Sequence, residues 1–365
     1  MKLQPLISVC IPVFSTEPYL LQCLRSAYRQ DFNSFEILVV SDASRGKDSK
    51  GRSARKLVKI AQKECKRFRK ENKLQPVEIR FIEHRENRGL IEVRRSLCTQ
   101  ARGFFTTQLD SDDEMEEGAL SALYNAAKVQ NTNASESDLQ QSQFYDIVHG
   151  TSTAGTFDEK GNFLPQEVNR YGTIFYGTIE GREVFRRWII NGDFTANTWG
   201  KLIKRDLFLK AYENIPYTQC NMADDFLLFF FLSQYAKSYI GIQTRVYRYR
   251  VNTGMTSHRS IDSLQKWKMI CSAASVFTVI SQWVEKQGAG RNQNPSQGDN
   301  LSPLLPDEIE MLRSRARYYI LNNIQQMRDR VVPELLPQAR QMLCDYWGKD
   351  FVEIAENALQ KNISR

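Results

Sequence analysis

Over the first 110 residues, short apolar runs alternate with stretches whose apolar residues recur at helical spacing, the pattern of parallel strands joined by helices. The strands this predicts are Ile7–Val13, Phe35–Val40, Val77–Ile82 and Phe104–Leu109, rich in the branched and aromatic side chains of a sheet covered on both faces. Between the first two, a helix from Pro18 to Arg29 gathers Leu20, Leu24, Ala27 and Tyr28 on one face, with Ser15 or Thr16 placed to cap it. A second helix carries Leu57, Ile60, Ala61, Cys65 and Phe68, which puts its lysines and arginines on the opposite, solvated face. A third holds Leu90, Val93, Leu97 and Ala101. Beyond it come a helix with Leu120, Leu123 and Ala127, a polar surface loop over Asn131–Gln143, a strand at Asp146–Val148, and a hairpin joining Phe157 to Phe163. Helical patterns then dominate, including one helix carrying Trp267, Ile270, Ala274, Phe277 and Val284 and a linker over Gln287–Pro306.

The fold class is therefore α/β, and 365 residues suit one large domain or two smaller ones. With 41% hydrophobic and 25% charged residues, disordered, collagenous and disulfide-scaffold classes are excluded. No apolar run approaches the roughly 18 residues of a membrane span. The apolar start, Leu6 to Phe14, is interrupted by Pro12 and lacks a small-residue cleavage site, so a cytoplasmic protein is expected. Seven scattered cysteines without CxxC spacing point to reduced core residues, neither a zinc site nor a disulfide framework. Charge changes the picture only locally. Residues Arg45 to Lys73 hold thirteen basic and three acidic side chains, more than the whole net charge of +8.

Ligands of doubly wound sheets bind beyond the carboxyl ends of the strands. There this chain presents Pro12, Val13 and Phe14 with Glu17, then Ser41-Asp42-Ala43-Ser44, then Asp110-Ser111-Asp112-Asp113. Crowded carboxylates repel one another unless something neutralises them. Hard divalent cations with oxygen ligands do so, which makes Asp110 and Asp112 candidate ligands for Mn²⁺ or Mg²⁺; the alternative is an acidic helix start. Such ions usually complete their shell with ligand phosphates and water, so a diphosphate follows. Neither a GxxxxGK[ST] loop nor a GxGxxG follows the first strand, and Arg94, after Asn87-Arg88-Gly89, is the expected phosphate anchor.

Four segments in order, Ile7-Ser-Val-Cys-Ile-Pro-Val-Phe14, Phe35-Glu-Ile-Leu-Val-Val-Ser-Asp-Ala-Ser44, Glu86-Asn-Arg-Gly-Leu90 with Arg94, and Leu109-Asp-Ser-Asp-Asp113, resemble the family 2 glycosyltransferases of the GT-A fold. Trp199-Gly-Lys-Leu202 with Lys204-Arg205, and Ala223-Asp-Asp-Phe226, extend the resemblance to roughly residues 5 to 255. It implies a mixed, mostly parallel sheet between helices over residues 1–258, divided near 113 into nucleotide-binding and acceptor halves. A mostly helical extension, 259–365, would follow. The implied activity is inverting transfer of a sugar from a nucleotide diphosphate, most simply a UDP-sugar, to an acceptor hydroxyl, assisted by Mn²⁺ or Mg²⁺. Pro12, Val13, Phe14, Glu17, Asp42, Gly89, Arg94, Asp110 and Ser111 would form the donor site, Asp42 meeting the base. Asp112 would hold the metal with Asp110, and Asp224 or Asp225 would take the acceptor proton. The chain departs from the family at Ser41 and Ala43, where Asp and Gly are frequent, and at Asp224, which replaces Glu.

Implied acceptors are glycans or lipid-linked glycans of a surface polysaccharide. The basic helix then reads as a peripheral contact with the anionic inner face of a membrane, and nucleic acid is not expected as a partner. Among the histidines, His258 would lie on a loop over the diphosphate without being expected to join the metal shell, while His84 and His149 read as structural or exposed. Trp267, Tyr318, Tyr319, Tyr346, Trp347 and Phe351 would pack together or onto a second subunit. Two alternatives stay open: a sugar nucleotidyltransferase, and a non-catalytic nucleotide or polyanion binder of the same fold.

Overall fold

The computed structural model describes residues 4–129, 144–158, 162–166, 172–251, 253, 260–289, 301 and 303–363. His258, most of the Asn131–Gln143 loop, the centre of the Asp158–Asn162 turn and most of the Gln287–Pro306 linker lie outside them.

The amino-terminal third alternates as its hydrophobic pattern dictates: β1 (Ile7–Val13), α1 (Glu17–Tyr28), β2 (Phe35–Ser41), α2 (Ala54–Glu71), β3 (Glu78–Glu83), α3 (Leu90–Gln100) and β4 (Phe105–Gln108). The middle third contains β5 (Glu114–Met115), α4 (Ala119–Ala127), β6 (Ile147–Phe157), β7 (Phe163–Pro165), β8 (Gly177–Glu180), α5 (Glu183–Arg186), β9 (Lys201–Lys204), α6 (Arg205–Asn214), α7 (Asp224–Tyr235) and β10 (Ser238–Arg250). A helical region closes the chain: α8 (Leu264–Cys271), α9 (Ala273–Ala289), α10 (Pro306–Arg330), α11 (Leu336–Trp347) and α12 (Lys349–Ile363).

One mixed sheet runs β3-β2-β1-β4-β9-β6-β10-β5, with β7 beside β6 and β8 beside β10. Its longer pairings, β1 with β2, β2 with β3 and β6 with β10, are parallel, and the short ones are mostly antiparallel. Every residue of β1 and β2 is buried, as continuous apolar runs covered on both faces require. The strand expected at Asp146–Val148 extends to Phe157, because its outer half pairs with β10 and β7. The run Phe226–Leu232 on α7 is buried throughout, so that helix is apolar all round and lies inside the molecule.

The single helix expected around Trp267–Val284 is two, broken at Ser272. That hydroxyl donates to the Met269 carbonyl and accepts from the Asn221 amide, a local competitor for helical hydrogen bonds that also fastens the chain before α7. The helical region has a core of its own around Trp267, Ile320, Ile324 and Leu343. It is joined to the sheet domain by Phe277 against Phe226 and Trp283 between Phe230 and Phe231. At its other edge, the buried Glu308 of α10 is gripped by Arg182 and Arg186. The carboxyl-terminal aromatics thus pack largely with one another, Trp347 touching Phe277 and Phe351, although Tyr318 stays 60% exposed. All seven cysteines are free thiols, six of them buried.

Helix α2 turns most of its basic side chains to solvent, with one exception. Arg69 is buried, and its guanidinium donates to the carbonyls of Tyr28, Gln30, Phe32 and Gln75. These are the chain ends between α1 and β2 and between α2 and β3, where no strand partner satisfies the carbonyls. Replacing Arg69 by Leu should therefore cost about 3 kcal/mol in a urea titration, because several carbonyls lose their donor at once, whereas the exposed Lys70→Leu should stay within about 0.5 kcal/mol.

Candidate functional site

Two tight turns leave the carboxyl ends of β1 and β2, and each contains a non-glycine residue in the left-handed region, Ser15 at φ 58° and Ala43 at φ 53°. Ala43 keeps a turn that glycine would adopt without strain. Ser44 ties the turns together: its hydroxyl accepts from the Ser15 amide at 2.9 Å and donates to Glu17 Oε1 at 2.6 Å. The other Glu17 oxygen, buried, has no partner. Thr16 begins α1 without capping it, because its hydroxyl is spent on Ser111 Oγ, 2.6 Å away.

Asp42 is saturated by the protein. Its carboxylate accepts from the amides of Arg88 at 3.0 Å and Gly89 at 2.9 Å and from His84 Nδ1 at 2.8 Å, so it shapes the 84–89 turn. His84 is structural, its other ring nitrogen meeting Ser96. Gly89 stands at φ 88°, where an added Cβ would also lie 3.2 Å from Asn221 Oδ1, the acceptor for the Leu90 amide at the start of α3. Glycine alone fits there.

The acidic segment 110–113 crosses from β4 to β5 and divides its labour. Asp113 faces inward, accepting from the Tyr247 hydroxyl at 2.8 Å and the Arg250 amide at 2.6 Å. The Tyr247 ring stacks on Trp199 at 4.7 Å, which accounts for the tryptophan of the Trp199–Leu202 segment. Asp112 accepts from the Thr253 hydroxyl at 2.9 Å. Asp110 meets Arg94, whose Nε lies 3.1 Å from Asp224, one Nη 3.1 Å from Asp110, and the same Nη 3.9 Å from Asp225. Burial pulls the pKa of this guanidinium down; Asp110, Asp225 and Asp224 more than reverse that and hold it well above its ordinary value. Its second Nη is buried without a partner.

Asp224 and Asp225 open α7, just after Ala223 at φ 62°. A left-handed alanine at that point aims the first helical turn, whose amide dipoles favour both carboxylates. Asp225 also accepts from Thr198 Oγ1 at 3.0 Å. The loop carrying Thr198 is held from beneath by the buried Lys201, whose ammonium donates to the carbonyls of Thr195 and Asn197. Burial pushes the Asp224 carboxyl upward, with Asp225 adding to the rise and Arg94 opposing it. Asp225 keeps 28% of its side chain exposed, Asp224 only 10%.

A cavity of about 390 Å³ opens among these turns. Phe14, Asp42, Asp110 and Asp112 line it on one side; Met269 and Arg330 line it on the other. Among the described residues no three Asp, Glu, His or Cys side chains form a ready-made metal cage.

Residues 8–178 match the family described as Glycosyl transferase family 2. Over those residues the chain belongs to that family. Its mixed, mostly parallel sheet with flanking helices and a helical carboxyl-terminal region is the GT-A arrangement that membership implies. Among its relatives, GlyA of Streptococcus pneumoniae is 27% identical over 69% of this chain and 31% of its own length. A beta-1,3-glucosyltransferase of Campylobacter jejuni, named for a GalNAc(5)-diNAcBac-PP-undecaprenol substrate, is 32% identical over 34% of this chain and 35% of its own. The chain spans 61% of a Bacillus subtilis relative, EpsH, and less than a third of GlyA. Staphylococcus aureus TarS 1–349, solved with UDP-GlcNAc, is 17% identical over 98% of this chain and 92% of that one, with a TM-score of 0.47.

Of the residues the sequence singled out, Pro12, Val13, Phe14, Asp42, Asp110, Ser111 and Asp112 line the cavity. Glu17, Gly89 and Arg94 stand behind its wall, shaping turns or pairing carboxylates, and Asp224 and Asp225 lie beyond Asp110 on the far side of Arg94. Thr253, Asn221 and the cavity residues of α8 and α10 had no signal in the sequence, since polar residues on or beside helices are ordinary.

Burial raises the Asp110 carboxyl from 3.8 to about 6; Arg94 opposes this, and Asp112 and Asp225 add to it. The unfolded chain therefore ionises Asp110 first, and the stability this group contributes below about pH 4 is lost as the pH rises towards 6. Asp110→Asn escapes that loss. In metal-free buffer its free energy of unfolding in urea should exceed that of wild type near pH 7, by on the order of 2 kcal/mol, and the two should converge near pH 4.

Proposed function

We propose that this protein transfers a sugar from a nucleotide diphosphate donor, with uridine the first base to test, to an acceptor hydroxyl with inversion, in the synthesis of a surface polysaccharide. The observation that carries this reading is the Arg94 bridge, which couples Asp110 of the cavity to the carboxylates of α7. Donor-side and acceptor-side groups thereby face one another across a single guanidinium.

In this reading the apolar walls at Pro12, Val13 and Phe14 enclose the nucleoside, and the diphosphate lies against Asp110, Ser111 and Asp112. The pair Asp110 and Asp112 fits a hard divalent ion: the oxygens share one cavity, and burial, with Asp112 and Asp225 adding to it, raises Asp110 despite Arg94. When bound, Mn²⁺ or Mg²⁺ supplies positive charge against the leaving diphosphate. Asp113 is too fully engaged by Tyr247 and Arg250 to serve. Asp225 is the base. It is the more exposed of the two carboxylates, and Thr198 fixes one of its oxygens, while Asp224 is committed to Arg94. The acceptor oxygen attacks the anomeric carbon opposite the diphosphate and gives its proton to Asp225. The carbon–oxygen bond to the diphosphate breaks, its electron pair leaving with the nucleotide.

A thermal-shift series with UDP, GDP, TDP and CMP tests the donor site: one nucleotide with Mn²⁺ should stabilise the wild type by about 2.7 kcal/mol at 100 times its Kd, and Asp112→Ala should abolish this. Asp225→Asn should keep that shift while transfer falls about 10²- to 10⁴-fold. No shift with any nucleotide would favour a non-catalytic scaffold.

Among the described residues no helix is long and apolar enough to cross a membrane. We assign the exposed Lys56, Lys59, Lys63, Lys66 and Lys70 on α2 to contact with an anionic bilayer, at about 1 kcal/mol per lysine near the surface. Sedimentation with phosphatidylglycerol vesicles should be strong at low salt, weak at high salt, and lost when these lysines become Gln; equal binding to neutral vesicles would sink the assignment.

A further inference from the structure

Helix α10 lies in the carboxyl-terminal region, yet one of its faces reaches the site at two places. Tyr319, Gln326 and Arg330 fall within an arc of about 40° and span about 16 Å of helix. Near the middle of the helix, the Tyr319 ring packs 6.4 Å from that of Phe226, the residue following Asp225. At the end of the helix, Gln326 and Arg330 line the same cavity as Phe14, Asp42 and Asp112. The helix is fixed at both ends: Glu308 is held by Arg182 and Arg186, and the Arg330 carbonyl accepts from the Ile261 amide at 2.7 Å. That last anchor uses only the backbone, and the exposed Arg330 side chain makes no ion pair with the described residues.

Charge gives the side chain a purpose. Four aspartates line the cavity, and among the described residues its lining cations are Lys266, already paired with Asp262 at 2.7 Å, and Arg330. Arg94, the cation expected to meet phosphate, is walled off behind Asp110. We infer that Arg330, flanked by Gln326, binds the phosphates of the donor diphosphate, so that the carboxyl-terminal helices complete the donor site. A guanidinium fork suits paired phosphate oxygens, and its place on a pinned helix keeps it aimed without ordering a loop. This rests on the reading of the cavity as a nucleotide site.

Calorimetric titration of the full chain with UDP and with uridine, in Mn²⁺, tests it. Arg330→Ala should weaken UDP binding roughly tenfold and leave uridine binding and the melting temperature unchanged, while Arg330→Lys should fall between. Arg328→Ala, on the opposite face of α10, should bind as wild type. Unchanged UDP affinity in Arg330→Ala overturns the inference, as does an equal loss in Arg328→Ala or an equal loss of uridine binding. If the wild type binds none of UDP, GDP and TDP, the nucleotide reading of the cavity itself fails, and the inference with it.

Discussion

A single buried arginine holds the two halves of the site together. Arg94 sits on α3, in the amino-terminal third, while two of its three carboxylate partners start α7, some 130 residues later. Like charges at that spacing could not be buried together without it, and an arginine buried there without them would be equally costly. The positions of Asp110, Asp224 and Asp225 are therefore one electrostatic solution. Much of the surrounding backbone, including the left-handed Ala223, serves to bring α7 to where that solution closes.

The rest of the architecture supplies rigidity around this centre. Asp42 spends its carboxylate on three protein donors, and Asp113 spends its own on Tyr247 and Arg250. Two of the acids at the strand ends are thus building material, leaving Asp110 and Asp112 as the cavity carboxylates least committed to bracing the backbone. The helical region is part of the same construction. Its aromatic seam with α7 fixes α10 beside the acid pair, and residues of α8 and α10 form one wall of the cavity.

The amino-terminal third was legible because each strand and helix there declares itself within ten or so residues, and β1 to β4 lie where the apolar runs put them. The strand-end residues and the Asp pair of α7 were legible as chemistry. What they do was less so, because Glu17 and Asp42 are read as ligands by their location and as braces by their hydrogen bonds. Arg69 looked like one more solvated cation on a basic helix; only the folded chain shows the four carbonyls it serves. The break at Ser272 escaped detection because a lone serine is tolerated in most helices, and its partner, Asn221, is 51 residues away.

The hydrogen bonds that orient Asp113 and Asp112 come from β10 and from Thr253 just beyond it, 134 to 141 positions further along the chain. The parallel strands β1 to β4, by contrast, are joined through neighbouring helices and need nothing beyond residue 108 to find their register. Loop closure makes distant contacts slow relative to near ones. During synthesis the amino-terminal third can therefore collapse early, and its acidic loop is braced only when β10 arrives. The order of folding thus delays the crowding of carboxylates until the arginines and tyrosine that make it tolerable are already in reach.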